Sequence, residues 1–224
     1  MLTHVRNWIL AGLIGLIVGC SGGGGGNSAA GVEPGPPPPG QPVPPPDPEA
    51  PNAAPYAEAN ELFATILSAV ILEDGRALIE WLLTDERNVA ITDLEADNVR
   101  FTLSKLQMSP IGNLTGTWQS YINQIEEPDG QGPGTEDRLQ ATYERDAEGS
   151  EFGNLGDGKY SYMTAVNVMD LPQDILDQAA TEGLDLSYEP GVTHRVAMQF
   201  DGSQSTANPN YDWIPATGEP ATFS

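Results

Sequence analysis

Apolar residues recur at every second position in several short stretches of this chain, and this spacing limits what it can fold into. In one stretch Val99, Phe101 and Leu103 alternate with polar residues. Successive side chains of a β-strand point to opposite faces, so the spacing predicts strands with one face buried. The same spacing places five sets of side chains on inward faces: Ile79, Trp81 and Leu83; Val99, Phe101 and Leu103; Leu139, Ala141 and Tyr143; Tyr160, Tyr162, Thr164 and Val166; Val196, Met198 and Phe200.

Two further stretches are prone to form strands but do not alternate. Residues 64–72 form a continuous apolar run, which predicts either a strand buried on both faces or part of a helix. Residues 117–125 favour strand with poor alternation. One helix is predicted over residues 173–182, because Pro172 precedes it and Gly183 follows it.

Turn residues separate the predicted strands. Glu73-Asp74-Gly75 lies between two of them and predicts a tight hairpin, and Asp157-Gly158 precedes another. Short strands with turns between them indicate an all-β antiparallel sandwich or barrel, here with one short helix.

The first twenty residues have the pattern of a bacterial lipoprotein signal. Arg6 is followed by an apolar run over residues 8–18, by the small residue Gly19 and by Cys20. The pattern predicts removal of residues 1–19 and lipidation of Cys20, which becomes the new N-terminus. The alternative is a transmembrane anchor with an incidental cysteine, but the run is shorter than the roughly 20 residues of a membrane span.

The next stretch is too rich in glycine and proline to build an apolar core. Residues 22–26 are all glycine, and residues 36–39 and 44–46 are all proline. Such a sequence forms a flexible and partly extended spacer. The predicted organisation is therefore a signal peptide at 1–19, a lipidated and disordered tether at 20–55, and one β domain at 56–224.

The charge of the chain limits its partners. It carries nine lysines and arginines against 32 aspartates and glutamates, a formal charge of −23, and loss of Arg6 with the leader makes the mature chain more negative still. An acidic surface repels nucleic acid and anionic lipid headgroups. We therefore expect no nucleic-acid partner.

Few residues offer catalytic or metal chemistry. Cys20 is the only cysteine, so the chain has no intrachain disulfide, no Cys-x-x-Cys redox pair, no Cys-x-x-Cys-His haem attachment site and no thiolate zinc cluster. His194 is the only histidine after the leader and is predicted to be structural. No catalytic motif is found, so the chain is predicted not to be an enzyme.

Two features leave alternatives open. Carboxylates cluster in two loops, which are either solvated or weak calcium sites: Glu126, Glu127, Asp129, Glu136 and Asp137 in one, and Asp93, Glu95 and Asp97 in the other. Trp81, Trp118 and Trp213 are predicted to be core residues, with ligand platforms as the alternative.

Five segments, in their order along the chain, resemble one known family. The segments are FTLSKL (101–106), GTWQSYIN (116–123), DGKYSY (157–162), THRV (193–196) and NPNYDWIPATG (208–218). Together they resemble the N-terminal domain of the OmcA/MtrC family of outer-membrane decahaem c-type cytochromes, over residues 64–218.

The resemblance implies a Greek-key split-barrel domain on a lipid-anchored surface protein of Gram-negative bacteria, active in extracellular electron transfer. Ser21 after the lipid cysteine, by resemblance to other lipoproteins, implies the outer membrane, with the domain facing the exterior. In the family a haem domain normally follows, so c-type haem is expected only in a missing downstream region or in a partner. The expected chain is a truncated or split form with a structural or docking role.

The expected partners are the membrane, through the lipid anchor, and either a multihaem cytochrome or an outer-membrane porin–cytochrome complex. The alternative is a lipoprotein binding module that recognises a protein or a polysaccharide.

Overall fold

A computed structural model describes residues 53–108, 116–128, 136–202 and 205–221. Short 3-10 turns at Tyr56–Glu58 and Ala96–Asn98 accompany eleven described strands and one described helix. These are β1 Leu62–Ile71, β2 Arg76–Asp85, β3 Val99–Met108, β4 Gly116–Ser120, β5 Asn123–Glu126, β6 Arg138–Ala141, β7 Glu151–Gly156, β8 Lys159–Asn167, α1 Gln173–Thr181, β9 His194–Phe200, β10 Asn210–Ile214 and β11 Glu219–Pro220.

The strands form two main antiparallel sheets. One sheet has the order β1-β2-β8-β7, the other has the order β11-β10-β9-β3-β4, and β5 pairs with β6 in a separate hairpin. The described strands do not close into a barrel. This confirms the predicted all-β antiparallel class in its sandwich form.

Aromatic side chains join the inner faces of the two sheets. Phe101 of β3 stacks on Tyr162 of β8, with ring centroids 4.1 Å apart and planes 9° apart. Trp81 of β2 meets Phe101 edge-on at 5.6 Å and stacks on Tyr160. These rings are fully buried, so the alternation predicted for β2, β3 and β8 is confirmed by the core itself.

One predicted inward face is wrong. The strand that begins near Leu139 ends at Ala141, Tyr143 is 41% exposed, and its neighbour Glu144 is only 4% exposed. The reason is that the chain crosses to β3 here, where Glu144 forms a bridge with Phe101. The carboxylate of Glu144 faces inward because it accepts backbone N–H groups at the end of β8.

The apolar run at residues 64–72 is a strand, but burial on both of its faces is wrong. Strand β1 lies at the edge of its sheet and pairs only with β2. Its register shifts between Ile66 and Ser68, which leaves Leu67 in a bulge. Phe63, Leu67 and Val70 are exposed by 52%, 46% and 40%, because no described element covers the outer face of this strand.

The turn and helix signals are confirmed. Leu72 and Arg76 close the predicted β1–β2 hairpin, since the Leu72 N–H donates to the Arg76 carbonyl at 2.8 Å. Asp157 and Gly158 have φ of +51° and +72°, as the tight turn between β7 and β8 requires. Helix α1 begins after Pro172 and buries Ile175 and Ala179.

The described residues contain no helix with the length and apolar content that a membrane span needs. The predicted leader and most of the predicted tether, residues 1–52, lie outside the described residues.

Candidate functional site

The lipidation site predicted at Cys20 lies outside the described residues and stays a prediction. Asp129, one carboxylate of the predicted acidic loops, also lies outside the described residues. Asp93 has a structural partner, because its two carboxylate oxygens accept the Tyr56 N–H at 3.0 and 3.1 Å. Within the described ranges, no group of three His, Cys, Asp or Glu side chains is placed to hold a metal ion.

His194 is fully buried at the start of β9 and has a partner at each ring nitrogen. Nδ1 lies 3.0 Å from the Val192 carbonyl, and Nε2 lies 3.0 Å from the Tyr121 hydroxyl. A carbonyl only accepts, so Nδ1 carries the proton and Nε2 accepts from Tyr121. Burial lowers the pKa of His194 and raises the pKa of Tyr121. These contacts agree with the predicted structural role.

Lys105 is a buried charge that the sequence reasoning missed. Its side chain is fully buried, and Nζ donates to the Ser187 carbonyl and to the Glu189 carboxylate, each at 2.6 Å. Asp185 lies 3.7 Å from the same nitrogen. The signal was available, because Lys105 continues the alternation of Val99, Phe101 and Leu103 on the inward face of β3. A buried charge needs partners, and here they lie 82 and 84 residues away in sequence.

The carboxylate of Glu144 is a second buried polar centre. It accepts the Tyr162 hydroxyl at 2.9 Å, the Ala165 N–H at 2.6 Å and the Val166 N–H at 3.1 Å. Burial raises the pKa of Tyr162. With three donors satisfied, Glu144 serves as a structural connection between the crossing chain and β8.

The three tryptophans predicted to be core residues separate into two groups. Trp81 and Trp213 are fully buried. Trp118 is only partly buried, on the outer face of β4, and the Arg195 guanidinium lies 4.2 Å from the centre of its ring. Asp212 pairs with Arg195 through two hydrogen bonds, at 2.6 and 2.7 Å. Trp118 is therefore the described tryptophan that remains available to a ligand.

A second aromatic–arginine pair lies further along the same face. The Arg100 guanidinium is 4.4 Å from the centre of the Tyr143 ring, and Arg100 is paired with Asp201 at 2.5 Å. Between Tyr143 and Trp118 runs a groove of about 560 Å³. We call it the Trp118–Tyr143 groove; Thr102, Ser104 and Ala197 form its floor, and Gln199 and Asn208 also line it.

An exposed apolar stripe lies on the outer face of the other sheet. It consists of Phe63, Leu67 and Val70 of β1, and we call it the β1 stripe. Val70 pairs with Leu78 of β2, and Leu78 pairs with Met163 of β8, so the stripe continues into a half-buried apolar row. Exposed apolar surface of this kind marks interaction sites.

Comparison with known proteins places these features in a family context. Residues 64–220 match the model of the OmcA-like N-terminal domain family. The crystal structure of the outer membrane decahaem cytochrome OmcA is similar with 25% identity and a TM-score of 0.57, over 73% of this chain and 24% of OmcA. MtrC from Shewanella baltica OS185 is similar with 20% identity and a TM-score of 0.47, over 73% of this chain and 23% of MtrC. No curated protein sequence matches the chain.

Proposed function

This chain belongs to the OmcA-like N-terminal domain family, and we propose that it serves as a haem-free structural and docking domain for a multihaem cytochrome at the cell surface. The observation that carries the proposal is the family match over residues 64–220. The OmcA structure to which the chain is similar is a decahaem cytochrome, and the similarity covers 24% of it. We propose that extracellular electron transfer is the activity that this domain supports.

The haem is carried outside this chain in our proposal. A c-type haem is attached by the two thiols of a Cys-x-x-Cys-His motif, and Cys20 is the only cysteine of the sequence. Electrons therefore pass through haems on a further part of the protein or on a partner polypeptide. The role left to this domain is to hold and position the polypeptide that carries them.

The proposed location is the outer membrane, with the domain anchored by a lipid on Cys20 and facing the exterior. The signal pattern around Cys20 and the glycine- and proline-rich residues 21–55 support it, since such a tether holds a domain away from a lipid surface. The Cys20→Ser variant tests the anchor. We expect mass spectrometry to find a lipid on the N-terminal peptide of the wild type and none on that of the variant. A wild-type N-terminal peptide without lipid would refute the lipid anchor.

The β1 stripe is the surface that we propose for docking, and its occupant is the haem-bearing polypeptide. Phe63, Leu67 and Val70 give that partner an apolar contact on an edge strand, where backbone groups of β1 also lack a neighbouring strand in the described sheet. The similarity to OmcA supports this choice of partner, because most of the OmcA chain lies outside the region that is similar to this chain.

Co-purification of haem tests the docking role. The full chain, tagged at its C-terminus, is isolated from the membranes of a Gram-negative host that makes surface multihaem cytochromes, and the haem Soret absorption is measured per mole of chain. We expect Soret absorption with the wild type and its loss in Phe63→Glu and Leu67→Glu.

Leu155→Glu is the matched control for these variants. Leu155 is 55% exposed but lies on β7, at the opposite edge of the same sheet. We expect it to retain the bound haem. Absence of haem absorption with the wild type would overturn the docking role, and equal haem in the stripe variants would overturn the stripe as the docking surface.

A further inference from the structure

The Trp118–Tyr143 groove has an aromatic ring at each end and a floor of small residues. Thr102 of β3 pairs with Ala197 of β9, and both lie on the outer face of the sheet. Trp118 leans toward Arg195, which pairs with Ser104, whereas Tyr143 lies against Arg100 at the other end. Ser104 and Arg100 are four residues apart on β3, which corresponds to about 13 Å. The groove is therefore elongated along β3.

The arginines beside the groove hold the aromatic rings and do not supply free positive charge. Arg195 is paired with Asp212, and Arg100 is paired with Asp201. Asp201 also lies 3.4 Å from Arg145. Asp212 neutralises Arg195, Asp201 is shared between Arg100 and Arg145, and the whole chain is strongly acidic, so an anionic ligand would be repelled at longer range.

Polar groups line the groove between the rings. Thr102 and Ser104 bring hydroxyl groups, and Gln199 and Asn208 bring side-chain amides, each of which both donates and accepts hydrogen bonds. A purely apolar ligand would take these groups out of water without giving them partners. A ligand with an apolar face and a hydroxylated rim satisfies both the rings and the polar groups.

We propose that the Trp118–Tyr143 groove binds an uncharged carbohydrate chain. The C–H faces of its sugar rings pack on the indole of Trp118 and the phenol of Tyr143, and its hydroxyl groups reach the amides and hydroxyls between them. Its length along β3 fits a chain of several sugar rings. This site is separate from the β1 stripe, because it lies on the other sheet.

Titration of the full chain with uncharged hexose oligosaccharides tests the proposal. The probes are cellohexaose, maltohexaose and mannohexaose, and binding is measured by calorimetry and by tryptophan fluorescence. Trp81 and Trp213 are fully buried and the predicted processing removes Trp8, so a ligand on the groove of the processed chain shields Trp118 from an added quencher. We expect one of these probes to bind, and Trp118→Ala and Tyr143→Ala each to weaken binding at least about tenfold, which corresponds to 1.4 kcal/mol.

Two further variants keep the test interpretable. Trp118→Phe keeps an aromatic face and should retain most of the binding. Leu155→Ala removes an exposed apolar side chain from the other sheet and should leave binding unchanged. Thermal unfolding of all variants checks that they are folded.

Three results would overturn the proposal: no binding of any uncharged oligosaccharide, binding that survives in both Trp118→Ala and Tyr143→Ala, or preferential binding of an anionic hexamer of galacturonate. The haem Soret absorption that co-purifies with the chain is measured separately on the same variants. Failure of the sugar site therefore leaves the docking role standing, and failure of docking leaves the sugar site standing.

Discussion

Replacing Glu144 by alanine should lower the free energy of unfolding by about 3 kcal/mol. The carboxylate accepts hydrogen bonds from the Tyr162 hydroxyl, the Ala165 N–H and the Val166 N–H. Each buried donor left without a partner costs about 1–3 kcal/mol, so three donors give about 3–9 kcal/mol. A pocket of about 600 Å³ borders Glu144, Ala165 and Val166. Water that enters it can bind the freed donors, so we expect the lower end of the range.

Two milder substitutions separate the hydrogen bonds from the loss of volume. Tyr162→Phe removes one donor and keeps the ring that stacks on Phe101, so it should cost about 1 kcal/mol. Glu144→Gln keeps the side-chain volume and one carbonyl acceptor, so its cost should fall between the other two. The double variant Glu144→Ala/Tyr162→Phe should cost less than the sum of the two single variants, because both changes remove the same hydrogen bond.

Urea unfolding of the full chain, followed by tryptophan fluorescence, measures these changes. The variants can be compared where the slope of the unfolding free energy against urea concentration is the same for all of them. A loss below about 1 kcal/mol for Glu144→Ala would refute the reasoning, because it would mean that the three donors find equivalent partners without the carboxylate.

Three further predictions concern Gly158, His194 and Lys105. A Cβ on Gly158 would lie 2.6 Å from the Leu83 carbonyl, whereas at Gly218, where φ is similar, nothing lies within 4 Å. Gly158→Ala should therefore lower the free energy of unfolding by at least about 1 kcal/mol more than Gly218→Ala. Equal losses in urea unfolding would contradict the clash. Burial lowers the pKa of His194 from its ordinary value of 6.5, so the unfolded chain takes up a proton first. The stability that this residue gives is therefore present above about pH 6.5 and is lost as the pH falls below it. His194→Gln should flatten that part of the pH–stability curve, and an unchanged slope would contradict the assignment. Lys105→Met keeps the apolar stem and removes the buried charge, so it should cost less than Lys105→Ala, which also leaves a cavity; the reverse order of thermal midpoints would be evidence against the described packing.

Much of the local structure could be predicted because it depends on neighbours in sequence. Alternation along β3 and β9 follows from the two-residue repeat of a strand, and the Asp157-Gly158 turn follows from the positive φ that these residues tolerate. Helix α1 follows from the proline before it and the glycine after it. The ordered segments that resemble the OmcA/MtrC family are also local, and the family match over residues 64–220 confirms that resemblance.

Burial on the second face of a strand depends on residues far away in sequence. Strand β1 has the composition of a buried strand, but its position at the sheet edge leaves Phe63 and Leu67 exposed. Tyr143 and Glu144 exchange the faces that alternation predicts, because the chain leaves β6 and crosses to β3. The residues next to these positions in sequence determine neither the edge position nor the crossing.

For the candidate sites, too, some features follow from the sequence and others only from the tertiary structure. The sequence by itself determined that this chain has a single thiol at Cys20, a strongly acidic composition and a set of half-buried strands. Only the tertiary structure decided that Trp81 and Trp213 are buried while Trp118 lies at the surface beside Arg195. All three tryptophans lie in β-strands, and their side chains differ in exposure because strand order and sheet packing decide which face meets the opposite sheet.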